Sequence, residues 1–382
     1  MTSILIEFWT ERETLLSEIP IMTEGDWIGK LREHDLDLSN LFLSKIEDCK
    51  TLRDDARQIL NEDSHIKIII RGIRAAMAFS NKSIGVNLLS NLLSNNPFAA
   101  FAEISVYDWF SRCSIRFTPQ IPLNASEILG NNGATLDGKL ELGGAYFDVK
   151  AFGFNAALAE LLREKIQQNF PDKYVSINDS LDISIDDFGN LLQNVHIICE
   201  KLNKDGIYRL GPLRVHMTEK QVVNISSRGS SPYLLAKENA LFAFKDANQF
   251  VTNAPFALIY VSHPWYSPGG IGDDFAHQDT IFTRSFARRA FIQFSQDQRS
   301  IGEICGKADA SQTLGTASRL LSAIFFFNAW PREADKNQVK KLQTWAYFNP
   351  RAKHPFPRRI IGALRADNIH GLHVDDFVDD NY

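Results

Sequence analysis

The chain has 382 residues, enough for two or three packed regions, and 44% hydrophobic with 23% charged residues excludes wholesale disorder. Forty-one Lys and Arg against 46 Asp and Glu give a net charge of −5. That argues against indiscriminate charge-driven binding and leaves room for local basic patches. Cys49, Cys113, Cys199 and Cys305 never fall in CxxC spacing, so no zinc knuckle or redox pair is read and four reduced thiols are expected. The start, MTSILIEFWTERETLL, lacks a cationic segment and a small-residue cleavage site, and the longest apolar runs are too short to cross a membrane. A soluble, cytoplasmic protein without a membrane partner is the expectation.

Residues 1–95 carry apolar positions at three- and four-residue intervals and read as a helical N-terminal region without a chemical cluster. Asn96-Pro97 opens a helix through FAAFAEISVYDWFSRC, with Asn as cap and Pro in the first turn. SIRFTPQIPL reads as a strand, and NASEILGNNG as a loop. Strands ATLDGKLEL and AYFDVKAF follow, joined at Gly143-Gly144 as a hairpin. Next come an amphipathic helix (FNAALAELLREKIQQNF), a strand (KYVSINDSLDI), a helix opened by Ser184 and a strand-like GPLRVHMTE. ENALFAFKDANQFV reads as helix and APFALIYVSHP as a buried strand. The order implies an α/β or α+β mixed sheet flanked by helices. Beyond it lie the loop SPGGIGDD, a helix over FTRSFARRAFIQF, the apolar run ASRLLSAIFFFNAW, a proline-rich basic segment and an acidic, solvated tail.

A two-residue Gly143-Gly144 turn would set Lys139 opposite Asp148 and Asp137 opposite Lys150. Asp137, Lys139, Glu141, Tyr146, Asp148 and Lys150 would then share one face. Leu136, Leu140, Leu142, Phe147, Val149 and Ala151 would share the other, apolar one. Converging carboxylates supply oxygen ligands for Mg²⁺, and a neighbouring lysine can hold water and offset phosphate charge. The bland reading of the same residues is a solvated edge hairpin with cross-strand ion pairs.

Asp137, ten residues, then Asp148-Val149-Lys150, after a helix bearing Glu103, resembles the PD-(D/E)xK, or restriction-endonuclease-like, nuclease superfamily. Leu136 stands where the family often has Pro. The resemblance covers roughly residues 96–265. It implies a restriction-endonuclease-like core there, with residues 266–382 as a C-terminal extension. Asp137 and Asp148 would hold Mg²⁺, or Mn²⁺ in its place, with the Val149 carbonyl as a further ligand. Lys150 would orient the attacking water, and Glu103 would bind water or a second metal. The implied activity is phosphodiester hydrolysis, with double-stranded DNA as partner, restriction or phage defence as role, and a homodimer as one arrangement. The alternative is a non-catalytic nucleic-acid-binding or scaffolding protein with the same fold.

A rival cluster lies in SHPWYSPGGIGDDFAHQD, where Asp273, Asp274, His277 and Asp279 could meet a metal; a loop is the plainer reading. Arg284, Arg288 and Arg289 on one helix, and Arg351, Lys353, Arg358 and Arg359 in the proline-rich segment, are candidate phosphate contacts. A solvated surface, or pairing with the acidic tail, is the other reading of these residues.

Overall fold

Among the described residues, seven strands assemble into one mixed sheet because the central ones are apolar on both sides and must be covered twice. β1 (Phe117–Leu123), β2 (Ala134–Leu140) and β3 (Tyr146–Ala151) precede a small second sheet of β4 (Lys173–Asn178), β5 (Ile207–Leu210) and β6 (Leu213–Glu219). β7 (Phe256–Ser262), β8 (Leu321–Asn328), β9 (Leu342–Phe348) and β10 (His370–Asp375) complete the main sheet, in the order β1-β2-β3-β7-β8-β9-β10. β3, β7 and β8 run parallel, and β7 and β8 are buried throughout, as expected of strands with helices on both faces. The computed structural model describes residues 29, 31–32, 63–93, 97–152, 162–163, 165–178, 190–210, 213–219, 232–262, 276–302, 312–329, 342–367 and 370–378.

Helices α1 (Asp63–Ala78), α2 (Lys82–Leu93) and α3 (Pro97–Arg112) cover one face of the sheet. In α1, Ile66, Ile69, Ile70 and Ile73 recur at helical spacing, and all are buried. α4 (Val195–Asp205) packs on the small sheet, in a cluster that also holds Leu162 and Ile166. The opposite face of the main sheet carries α5 (Pro232–Asn239), α6 (Ala276–Arg288) and α7 (Leu314–Leu320). α8 (Ile360–Leu364) returns to the first face. The result is an α/β chain with a mixed sheet between helical layers. Among the described residues no helix is long and apolar enough to cross a membrane. The described cysteines, Cys113 and Cys199, are free, and burial raises the pKa of both thiols.

Gly72 is required where α1 crosses α3. A Cβ there would lie 2.2 Å from the carbonyl oxygen of Ile104 and 2.6 Å from its Cγ2. Because the nearest atom is backbone, the helices would have to separate. Gly72→Ala is expected to cost about 2–3 kcal/mol, at the upper end for overpacking. Denaturant unfolding checks this, and a midpoint equal to that of wild type would contradict the close approach.

Several elements differ from the sequence expectation. ENALFAFKDANQFV is not a continuous helix: α5 ends at Asn239, and Ala240–Phe244 and Ala247–Gln249 are 3-10 turns closed by i to i+3 bonds. ASRLLSAIFFFNAW, read from sequence only as an apolar run, divides into the end of α7 and the central strand β8, which is buried from both faces. The acidic tail is not a solvated end through Val378. His370–Asp375 forms β10 beside β9, and Phe377 is buried and stacks on Tyr347. The short strand β5 carries too little alternation to be anticipated. Of the rival segment at 263–279, residues 263–275 lie outside the described residues, whereas His277 and Asp279 fall in α6 and not in a loop. Most of FNAALAELLREKIQQNF and the helix start at Ser184 also lie outside the described residues.

Candidate functional site

The hairpin register decides what the site residues face. Gly143 and Gly144 both take positive φ, 76° and 63°, where glycine is at home, but the connection is wider than two residues. Leu142–Gly144 forms a 3-10 turn, and the Leu140 N–H donates to the Ala145 carbonyl. Lys139 pairs with Tyr146 and Gly138 with Phe147. This is a two-residue shift from the expected register. Because alternation has period two, the shift keeps Asp148 and Lys150 on the face of Tyr146, and extending it sets Asp137 against Asp148.

The strands then part. Continuing the ladder would carry a bond from the Val149 N–H to the Leu136 carbonyl. Instead the Val149 N–H donates to Asp137 Oδ2 at 2.6 Å, so a carboxylate takes the place of a backbone acceptor. The β1–β2 ribbon also turns over here. Phe117, Leu140 and Phe147 pack in the cluster under α3, whereas Ile121, Leu123 and Leu136 pack in the opposite one. Strict alternation would have kept Phe117 with Ile121. Between them Gln120 has φ 49°, a left-handed conformation that is uncommon for a non-glycine residue and that clusters at functional sites. The expectation of one wholly polar and one wholly apolar face is therefore corrected: Leu136 lies opposite Leu140, Leu142 is exposed, and the Asp148 face is roofed by the second helical layer.

Three elements bring the acids together. From α3, Glu103 Oε1 lies 2.6 Å from the Tyr107 hydroxyl, which is also 2.6 Å from the backbone oxygen of Asp137. Gln120 Nε2 of β1 donates to the same Glu103 oxygen at 3.3 Å. From β3, Asp148 is only 5% exposed. Its Oδ2 is 2.8 Å from Lys150 Nζ as an ion pair, outside hydrogen-bond geometry, and so has no directed donor. Lys150 Nζ also meets Asp246 Oδ2 at 3.1 Å.

Electrostatics follow from this crowding. Burial, then the charge of Asp148, pushes Glu103 up to about 6 against the pull of its two hydrogen bonds. Burial, and then Glu103 and Asp148, hold Asp137 well above the usual carboxylate range. Burial alone would lower the Lys150 ammonium, but Asp148 and Asp246 raise it above its ordinary value. Crowded acids of this kind would be relieved of mutual repulsion by a bound cation.

The donor set fits a hard divalent cation: oxygens only, one of them buried without a directed donor. Among the described residues no three His, Cys, Asp or Glu side chains already stand in ligating geometry. Asp137 and Glu103 are instead engaged by Val149, Tyr107 and Gln120. Val149 is seen to contribute its N–H.

Glu103, Asp137, Asp148 and Lys150 are thus brought together, whereas the basic candidates Arg284, Arg289, Arg351, Lys353 and Arg358 enter separate intramolecular contacts. Arg284 pairs with Asp375 at 2.6 Å, and Arg358 with Asp376 at 2.6 Å. Arg289 donates to Gln293 and lies over the Tyr233 ring. Arg351 donates to Ser295, and Lys353 to the Thr252 carbonyl. Arg288 closes α6, and Arg359 is exposed just before α8. Tail pairing, one of the two plain readings, accounts for Arg284 and Arg358. Glu141 is exposed near the turn, and the Tyr146 hydroxyl accepts from Lys139.

Sequence reasoning missed Tyr107, Gln120 and Asp246. Tyr107 was findable, since it lies one turn after Glu103 on the same helix. Gln120 depends on the β1–β2 register, and Asp246 on a turn packed against a distant loop. No family model, no curated protein and no solved structure matches this chain.

Proposed function

We propose that the chain is a Mg²⁺-dependent nuclease of the PD-(D/E)xK type, with a restriction-endonuclease-like core, hydrolysing phosphodiester bonds in DNA. The observation that carries this reading is the meeting of the buried acids Glu103, Asp137 and Asp148 from α3, β2 and β3 with the partly exposed Lys150. Asp137 and Asp148 would hold the metal with the Val149 carbonyl, and Glu103 would hold water or a second ion. Once bound, Mg²⁺ or Mn²⁺ polarises a phosphoryl oxygen and lowers the pKa of water. Lys150 orients the attacking water and offsets charge on the phosphate. The Tyr107 hydroxyl, 2.6 Å from both Glu103 Oε1 and the Asp137 carbonyl, sets the helix and strand ligands side by side. A duplex DNA substrate, a cytoplasmic restriction or phage-defence role, and a homodimer belong to this same proposal.

The test is incubation of purified protein with linear and supercoiled duplex DNA, single-stranded DNA and RNA. Cleavage is expected with Mg²⁺ or Mn²⁺, with Ca²⁺ binding but not supporting turnover. Undiminished cleavage in excess EDTA would overturn the mechanism. DNA bound yet uncut with every divalent ion would favour the non-catalytic reading.

A further inference from the structure

Among the described residues Lys150 has two carboxylate partners, and only one of them belongs to the residues so far given a role. Asp246 Oδ2 stands 3.1 Å from the ammonium and Asp148 Oδ2 stands 2.8 Å from it. The side chain of Asp246 is 31% exposed and that of Lys150 27%, so this pair sits at the mouth of the site while Asp148 lies deeper.

The placement of Asp246 is fixed. It lies between the two 3-10 turns, and its carbonyl accepts from the Gln249 N–H. Phe244, Ala247 and Phe250 on either side are buried in the cluster under β7. The β1–β2 loop braces the same turn from outside: the Gly130 N–H donates to the Asn248 carbonyl and the Leu129 N–H to that of Phe250. Asp246 is therefore presented by a rigid turn and not by a freely moving loop.

We propose that Asp246 is a positioning residue, which keeps the Lys150 ammonium at the mouth of the site when Asp148 gives its Oδ2 to a divalent cation. An ammonium has three donors and can hold both carboxylates at once. A cation at Asp148 Oδ2 competes with Lys150 for that oxygen. Without Asp246, the lysine has no second carboxylate partner among the described residues: it stays on Asp148 and opposes the cation, or turns to solvent and leaves the reacting phosphate. With Asp246, it changes partner weighting without moving far. The inference rests on the nuclease reading for its consequence in catalysis, but its metal-binding arm stands without DNA.

The experiment is a double-mutant cycle of Asp246→Asn and Lys150→Met on the full chain, read by Mn²⁺ binding in EPR titrations and by single-turnover cleavage. Asp246→Asn is expected to weaken Mn²⁺ binding about tenfold when Lys150 is present and less than about threefold in the Lys150→Met background, a coupling typical of contacting charges. Cleavage at saturating metal should fall about 10- to 100-fold with DNA affinity unchanged, as for a slightly misplaced catalytic group. Asp246→Glu should restore much of both, and thermal melting checks that each variant is folded. Equal losses with and without the Lys150→Met substitution, or no benefit from Glu over Asn, would overturn the proposal while leaving the nuclease reading standing. The expected Mn²⁺ coupling in a protein that never cuts DNA would keep Asp246 and remove the nuclease. No Mn²⁺ binding by wild type would overturn the exchange of partners itself.

Discussion

Replacing Asp148 by Asn or Lys150 by Ala is expected to lower cleavage by about a thousandfold or more, the scale of losing a metal ligand or a principal charge at the reacting phosphate. The two variants should differ in stability. Asp148→Asn removes one of three crowded carboxylates, which relieves Glu103 and Asp137 and leaves Lys150 with Asp246. Its unfolding free energy should stay within about 1 kcal/mol of wild type. Lys150→Ala leaves Asp148, 5% exposed, beside two other acids without a cation. Breaking a buried pair from one side costs about 3–5 kcal/mol, and the partial exposure of Lys150 places the loss near the lower figure. The Lys150→Ala loss exceeds the ~0.5 kcal/mol of an ordinary surface change, because the hairpin face is roofed and not solvated. Denaturant unfolding beside cleavage rates checks both. Lys150→Ala as stable as wild type would show that solvent screens the pair.

The metal-free protein should lose stability as pH rises from about 4.5 through 6, the reverse of an ordinary ion-paired carboxylate. Glu103 titrates at about 6 when folded against an ordinary value of 4.5. Between those values the folded state holds more protons than the unfolded one, so unfolding becomes easier with rising pH. The stabilising contribution is complete below the unfolded value and is lost as pH passes the folded one. Asp137, raised for the same reasons, acts with the same sign. For Glu103 the loss is up to about 2 kcal/mol, since each tenfold difference in proton affinity is worth about 1.36 kcal/mol. Glu103→Gln should flatten this part of the profile and melt later than wild type at about pH 7–8 in EDTA. Mn²⁺ should reverse the trend, since it favours the ionised acids, and its binding should weaken as pH falls through about 6. Parallel profiles for wild type and Glu103→Gln would place the repulsion elsewhere.

Part of this site is legible without coordinates because it is local. The tripeptide Asp148-Val149-Lys150 lies on one strand, so alternation alone puts both charges on one face. Glu103 sits on a helix whose start is marked by Pro97, and β7 announces burial through an unbroken apolar run. These statements depend on spacing along the chain, which a sequence carries directly.

What the tertiary structure decided depends on pairing between distant segments. Hairpin register moved by two residues because the Gly143-Gly144 turn is a 3-10 turn, and turn geometry is set partly by what it packs on, here Pro357. The turnover of the β1–β2 ribbon needs the left-handed Gln120, which no propensity of glutamine announces. The basic residues carry the same charges in any reading, and only packing sends Arg284 and Arg358 to Asp375 and Asp376. Asp246 reaches Lys150 through a turn held by the loop between β1 and β2. Residue spacing sets which groups share a face; the burial of apolar surface over long chain separations sets which faces meet.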